Sequence, residues 1–272
     1  MASRRARRRT RKQRGGSDMV AIYVVYFAHI NLGDEPWEGS RASKLISEQL
    51  TEAREWGLAE KAKKFDIVLT SPSKETLKVA EKAVKEIIKK ADVTTVEGNP
   101  HEQPGLLRVW EQARDIPEKD RTDSVILYFH SKGMMNGDKS RVRTEANQNM
   151  TREVIKPWES VAKRFKRDPL VNKAGFTAAN DGFIWHNFWW ARASYLIDSP
   201  RPAKVSRRHY YEDWLGRRVK NQSNHNNVGE EKGMFVTGAK NSLTLCVKGA
   251  DGDLGLTVPG NVPDVPTCFL GM

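Results

Sequence analysis

Residues 123–137 read DSVILYFHSKGMMNG. Ser124 to Phe129 is a short apolar run rich in Val, Ile, Leu and aromatics, and it stops abruptly at His130-Ser131-Lys132-Gly133. A run of that length bounded by polar residues predicts a strand buried on both faces. Strands of that kind carry ligands beyond their carboxyl ends, where the loops converge on a crevice. His130, Ser131 and Lys132 stand at that rim, with a glycine behind them that lets backbone come close. An imidazole, a hydroxyl and an ammonium suit an anion. The same residues also fit an ordinary strand-end turn with a solvated lysine.

Upstream, the chain alternates. Val20 to Ala28 (VAIYVVYFA), ending at His29, is a continuous apolar strand, and Asp66–Thr70 (DIVLT) and Asp92–Val96 (DVTTV) are two more. Between them lie helical patterns. Arg41 to Trp56 places Ala42, Leu45, Ile46, Leu50, Ala53 and Trp56 on one face. Ser71-Pro72 reads as a helix start, Ser as cap and Pro at the first position, for a helix reaching Lys90. A third helix runs from about Gly105 to Arg114. Strand and helix in alternation imply right-handed crossovers and a parallel sheet between helical layers. The expected fold is therefore α/β, a Rossmann-type, mostly parallel sheet flanked by helices. It forms one domain over 19–272, after a disordered tail at 1–18. His29, Ser71, Glu97, Asn99, His130 and Lys132 fall along one edge of that sheet and outline a pocket.

The second half is less regular. Thr144 to Phe165 is helical with a break at Pro157, and Lys173 to Ala179 reads as a fifth strand, followed by a turn at Asn180–Gly182. Phe183 to Leu196 reads FIWHNFWWARASYL, with Trp185, Trp189 and Trp190 close together. Aromatics dominate cores, so this fits a core segment. It also fits a sugar platform, where an indole face stacks on pyranose C–H groups while His186 and Asn187 bond hydroxyls. Arg207 to Val219 reads as a helix with Glu212 and Asp213 near its start, where carboxylates often serve only the helix dipole. Residues 230–272 read as an irregular extension with one hairpin around Met234 to Val247.

Composition narrows the classes. The net charge is +12, but Arg4, Arg5, Arg7, Arg8, Arg9, Arg11, Lys12 and Arg14 supply eight of it, leaving +4 for the rest. The basic tail has the composition of a nucleic-acid or anionic-surface binder, while the body is nearly balanced. No run approaches the ~20 apolar residues of a membrane span, and Met19–Ile30 lacks a signal-peptide cleavage pattern, which predicts a soluble cytoplasmic protein. Cys246 and Cys268 alone do not make a disulfide scaffold. Phosphate-loop, Gly-x-Gly-x-x-Gly, Gly-x-Ser-x-Gly and zinc-spacing signatures are absent.

Four segments in order carry a resemblance: YFHSKG; the NQNM helix (Asn147 to Met150) with Trp158; NFWWARASYL; and RRHYYEDWLG. Over roughly Val20 to Gly216 the chain resembles glycosyltransferases found in large algal DNA viruses and some bacteria. The resemblance implies a GT-A fold, a UDP- or GDP-sugar donor and a glycan or glycoprotein acceptor. With such a donor lying over the ends of the first four strands, His29, Ser71 and Glu97 are candidates for base and ribose contacts, and His130, Ser131 and Lys132 for the diphosphate. His186, Asn187, Trp189 and Trp190 would shape the sugar or acceptor side. Glu212 or Asp213 would be the general base of an inverting transfer, Glu212 matching the group's Glu-x-Trp position through Trp214. Two departures stand out. Trp185-His186 occupy the place of a usual Ser-Gly, and no Asp-x-Asp follows the fourth strand; the sole one, Asp251-Gly252-Asp253, sits in a Gly-rich loop. Either Lys132 and His130 neutralise the diphosphate directly, or a manganese or magnesium ion binds through it with help from Asp181 or His130. A non-catalytic carbohydrate-binding protein and a nucleic-acid-associated virion protein are the alternatives.

Overall fold

Four runs form one half of a single sheet: β1 (Ala21–His29), β2 (Lys64–Ser71) and β4 (Ser124–His130), which are apolar and buried, and β3 (Asp92–Glu97), a more polar and exposed strand at its edge. In this computed structural model the described residues are 19–33, 35–131, 145–169, 171–175, 183–206, 209–217, 243–248 and 253–257. Three further elements widen the sheet on the β4 side: β5 (Val171–Gly175), β6 (Trp189–Arg192) and the hairpin of β7 (Leu243–Lys248) and β8 (Asp253–Thr257). The spatial order is β3-β2-β1-β4-β6-β5-β7-β8. The β1–β2, β1–β4, β2–β3 and β5–β7 pairs are parallel, while β6 opposes both β4 and β5, and β8 opposes β7. The expected mixed α/β, mostly parallel sheet flanked by helices is the observed one.

Chain order runs outward from β1 to β3 on one side and resumes at β4 on the other side of β1. The connections after β1 and after β4 therefore leave in opposite directions. That is a topological switch point, and in open α/β sheets the ligand crevice lies there, beyond the carboxyl ends of the two strands.

Two helical layers cover the sheet. Val24, Tyr26, Ala28, Val125, Leu127 and Phe129 face one of them, which holds α1 (Arg41–Glu55), α2 (Leu58–Lys61) and α3 (Lys74–Ile87). The same layer contains α5 (Glu145–Val154) and α6 (Trp158–Arg167), with Val154, Val161 and Phe165 in its core. Val25, Phe27, Ile126 and Tyr128 face the other, with α4 (Gln103–Asp115), α7 (Ala193–Leu196) and α8 (His209–Asp213). The alternation follows from the two-residue period of a strand. Gly105 lets α4 lie directly on the sheet: a Cβ there would stand 2.8 Å from both Phe27 Cβ and the Tyr128 hydroxyl.

The helix expected to start at Ser71-Pro72 starts later. Ser71 still pairs with Glu97 as the last residue of β2, and Ser73 caps α3 by accepting the Thr76 amide at 3.1 Å. The break at Pro157 is real: it separates α5 from α6. The fifth strand covers Val171–Gly175, so of the span expected to Ala179 only Lys173–Gly175 is strand and the rest lies outside the described residues. Of the hairpin expected around Met234 to Val247, Leu243–Val247 is strand and the rest lies outside the described residues; β7 pairs antiparallel with β8 and extends the sheet. The basic tail lies outside the described residues.

Candidate functional site

The crevice at the switch point is built from three strand ends, the start of α4 and one strained turn. At the end of β1, His29 sits opposite Thr70 of β2, and its Nδ1 lies 2.9 Å from the Thr70 hydroxyl. Burial first, and the neighbouring His101 second, hold its pKa below the ordinary value, so at neutral pH it is an uncharged imidazole. At the end of β4, the His130 ring lies parallel to Tyr128 and near Phe188, with centroids at 6.2 and 5.4 Å. Its Nε2 is 2.9 Å from the His186 carbonyl. A carbonyl only accepts, so Nε2 carries the proton in this contact. Ser131 continues the edge, its amide donating to the Phe27 carbonyl at 2.9 Å.

Glu102 joins these parts. It precedes the first residue of α4 but does not cap the helix with its side chain. The carboxylate turns into the crevice, where its Oε2 accepts from the Tyr128 hydroxyl at 3.3 Å and from Asn187 Nδ2 at 2.7 Å. Its Oε1 is 3.9 Å from His130 Nδ1. Tyr128 is fully buried, and burial together with Glu102 raises its phenol pKa well above the usual range, so it remains a hydrogen-bond donor. Asn187 also donates to the Tyr211 carbonyl at 3.1 Å and accepts from Trp189 Nε1 at 3.3 Å, which ties α8 to the same hub.

Backbone strain collects here. Among the described residues the non-glycine positions with left-handed backbone are His101 (φ 54°), His186 (φ 72°) and Asn187 (φ 53°). His101 adjoins Glu102 in sequence, Asn187 bonds it, and the His186 carbonyl meets the His130 ring. Conformations of this kind persist only where surrounding contacts over-determine them, and they cluster at functional sites.

The residues singled out from the sequence fare differently. His29, His130 and Ser131 fall at the carboxyl ends of the neighbouring strands β1 and β4, where His130 pairs with Phe27 and the Ser131 amide bonds the Phe27 carbonyl. Glu97 ends β3 but points into solvent, paired with Lys74 at 3.3 Å. Ser71 is buried, its hydroxyl accepting the Ser73 amide, so it is a turn residue rather than a ribose contact. Asn99 accepts the His101 amide in the loop leading to α4. Lys132 and Asp181 lie outside the described residues. Trp189 and Trp190 are fully buried on opposite faces of the sheet. A stacking platform needs an exposed indole face, so the sugar-platform reading is corrected for both: they are core. Asn187 is 1% exposed and acts as the internal strut described above, whereas His186 is exposed.

The acidic pair at α8 also splits. Asp213 is buried and takes Arg217 Nε and Nη2 at 2.8 and 2.7 Å, a closed ion pair that leaves it no route to a substrate proton. That corrects its assignment as a base. Glu212 is partly exposed, with His209 Nδ1 at 3.3 Å, and follows the Tyr211 carbonyl that Asn187 holds. Glu102 and His101 went unnoticed in the sequence. The available signal was Pro104 at the first turn of α4, which marks the preceding residues as a helix entry facing the strand ends.

Fold and crevice together define a Rossmann-type α/β protein with a polar site at its switch point. The chain belongs to a family described as a domain of unknown function (DUF8361), whose model matches residues 23–234. No curated protein matches the sequence. Among solved structures it is similar to Rv0371C of Mycobacterium tuberculosis H37Rv, crystallised in complex with manganese. The TM-score there is 0.34 at 12% identity, over 77% of this chain and 86% of that one. No helix among the described residues is long and apolar enough to cross a membrane.

Proposed function

We propose that the chain is a glycosyltransferase of GT-A type that binds a UDP- or GDP-sugar at the switch-point crevice and transfers the sugar to a glycan or glycoprotein. The observation that carries this reading is the placement of His130 and Ser131, from the HSKG turn, and of His29 at the carboxyl ends of the adjacent parallel strands β4 and β1. Open α/β sheets bind their ligands there. Neutral His29 supplies hydrogen bonds, while positive charge for the diphosphate comes from Lys132. Glu212 is the base that takes the acceptor hydroxyl proton in an inverting transfer, and Asp213 fixes its helix through Arg217.

A divalent cation enters this reading only as a partner of the diphosphate. Among the described residues no group of three or more His, Cys, Asp or Glu side chains could hold one. Manganese and magnesium prefer oxygen ligands, and the crevice offers the Glu102 carboxylate, already engaged by Tyr128 and Asn187. The described residues do not make a metal site by themselves, and no step is routed through an ion.

The test is a donor panel. UDP or GDP should raise the melting temperature, and one nucleotide sugar should be hydrolysed slowly and transferred when an acceptor is present. Lys132→Ala should weaken diphosphate binding more than nucleoside binding. Stabilisation by free glycans with no turnover of any donor would favour non-catalytic carbohydrate binding. Indifference to both nucleotides would end the proposal.

A further inference from the structure

The turn that closes the crevice exposes an aromatic ring. We infer that Trp185 is the stacking surface for a pyranose ring at this site, an assignment that rests on the glycosyltransferase reading.

Among the described residues the exposed large hydrophobic side chains are Val79 and Trp185, and Trp185 is 44% exposed. Val79 belongs to α3, on the other side of the sheet. Trp185 belongs to the segment that bounds the crevice, one residue before the His186 carbonyl that meets the His130 ring. Its aromatic neighbours in sequence go inward: Phe183 is 7% exposed, and Phe188, Trp189 and Trp190 are fully buried. The difference is made by the backbone. The successive left-handed residues His186 and Asn187 reverse the chain between Trp185 and Phe188. L-residues adopt that conformation reluctantly, so contacts must hold it. They are the Asn187 bonds to Glu102 and to the Tyr211 carbonyl, and the His130 contact with the His186 carbonyl. Phe183 meets the indole edge-on, with centroids 4.8 Å apart and planes at 69°. An edge contact of that kind steadies the ring without covering both of its faces.

The surroundings choose the occupant. A protein partner needs a contiguous apolar patch. Here one indole stands beside an exposed imidazole, with polar groups behind it. A flat ring with C–H groups on its face and hydroxyls at its rim matches that arrangement. The pyranose belongs either to the donor or to the acceptor, and the two give different signatures.

Wild type, Trp185→Ala and Trp185→Phe are titrated calorimetrically with UDP, GDP, UDP-glucose, UDP-galactose and GDP-mannose. Methyl glucoside, galactoside and mannoside are then followed by saturation-transfer NMR, with and without nucleotide. A donor contact makes Trp185→Ala lose about ten-fold in affinity for a nucleotide sugar relative to its nucleotide. An acceptor contact leaves that ratio alone and removes the pyranoside signal. Trp185→Phe should retain most of either, and the melting temperature should hold, since the ring is half in solvent. If Trp185→Ala matches wild type in both arms, the inference is overturned; so it is if the nucleotide alone is lost. Wild type that binds no nucleotide fails the parent reading, and the nucleotide-free pyranoside arm still decides Trp185.

Discussion

Replacing Glu102 by alanine tests whether the crevice is held by one carboxylate. The Tyr128 hydroxyl, fully buried, loses its acceptor at 3.3 Å. Leaving a buried hydroxyl unsatisfied costs ~1–3 kcal/mol. The 2.7 Å bond from Asn187 to a charged oxygen is lost as well, and such bonds contribute ~1.5–3 kcal/mol net. Asn187 keeps the Tyr211 carbonyl, and the protein no longer has to desolvate a carboxylate that is 17% exposed. The expected net loss is about 2–4 kcal/mol. For a chain of this size that lowers the melting temperature by roughly 4–16 °C. Urea unfolding gives the free energy directly. Tyr128→Phe removes the donor along with the need for an acceptor, so it should cost only about 1 kcal/mol. The double variant should cost less than the two together, with a coupling of about 1–2 kcal/mol. An ultraviolet titration adds a second reading: the Tyr128 phenol pKa falls without Glu102 but stays high, because burial is its main cause. A loss under ~0.5 kcal/mol in Glu102→Ala, or additive costs in the cycle, would refute the hub.

Three further outcomes follow from the same geometry. His29 resists protonation in the fold, so stability is complete above the ordinary histidine value of 6.5 and declines as pH falls through the window down to its lowered folded value. His29→Gln should flatten that decline in urea midpoints measured from pH 7.5 to 5.5, and an unchanged slope would place its cause elsewhere. Gly105→Ala drives a methyl against Phe27 Cβ and the Tyr128 oxygen, at an overpacking cost of ~1–3 kcal/mol that exceeds the gain in helix propensity; a stabilised variant would contradict the close approach. Asp213→Asn leaves the 2%-exposed Arg217 without its carboxylate and should cost ~3–5 kcal/mol, whereas Glu212→Gln should fold normally and slow transfer about 10²–10⁴-fold. A well-folded, active Asp213→Asn would undo the division of labour between the two acids.

What could be seen in the sequence follows from the range over which each feature is decided. The strands β1 and β4 are legible because a buried parallel strand is apolar at nearly every position, and VAIYVVYFA and SVILYF leave no other element of that length, whereas the exposed edge strand β3 (DVTTVE) is read from its β-branched residues. Alternation then implies a parallel sheet, whereas the order β3-β2-β1-β4, and with it the switch point, is decided by which strands pair. The start of α3 escaped because Ser71 and Ser73 are equally good caps locally. The choice was made by β3, whose Glu97 pairs with Ser71 and keeps it in the ladder.

Trp189 and Trp190 are the sharper case. Their composition suits a platform, but β6 lies between β4 and β5, so neighbouring residues point into opposite helical layers and both are covered. Only the pairing of Trp190 with Leu127 and Ala174, far away in the chain, reveals this. Trp185 escapes that fate because the left-handed pair at 186 and 187 intervenes before the strand begins. That pair is held in turn by Glu102, 85 residues upstream of Asn187. A polar hub at a switch point has to be of this kind. The strands that bound it are separated in sequence by the crossovers that create the crevice, so its members must come from distant segments, and no local window contains them.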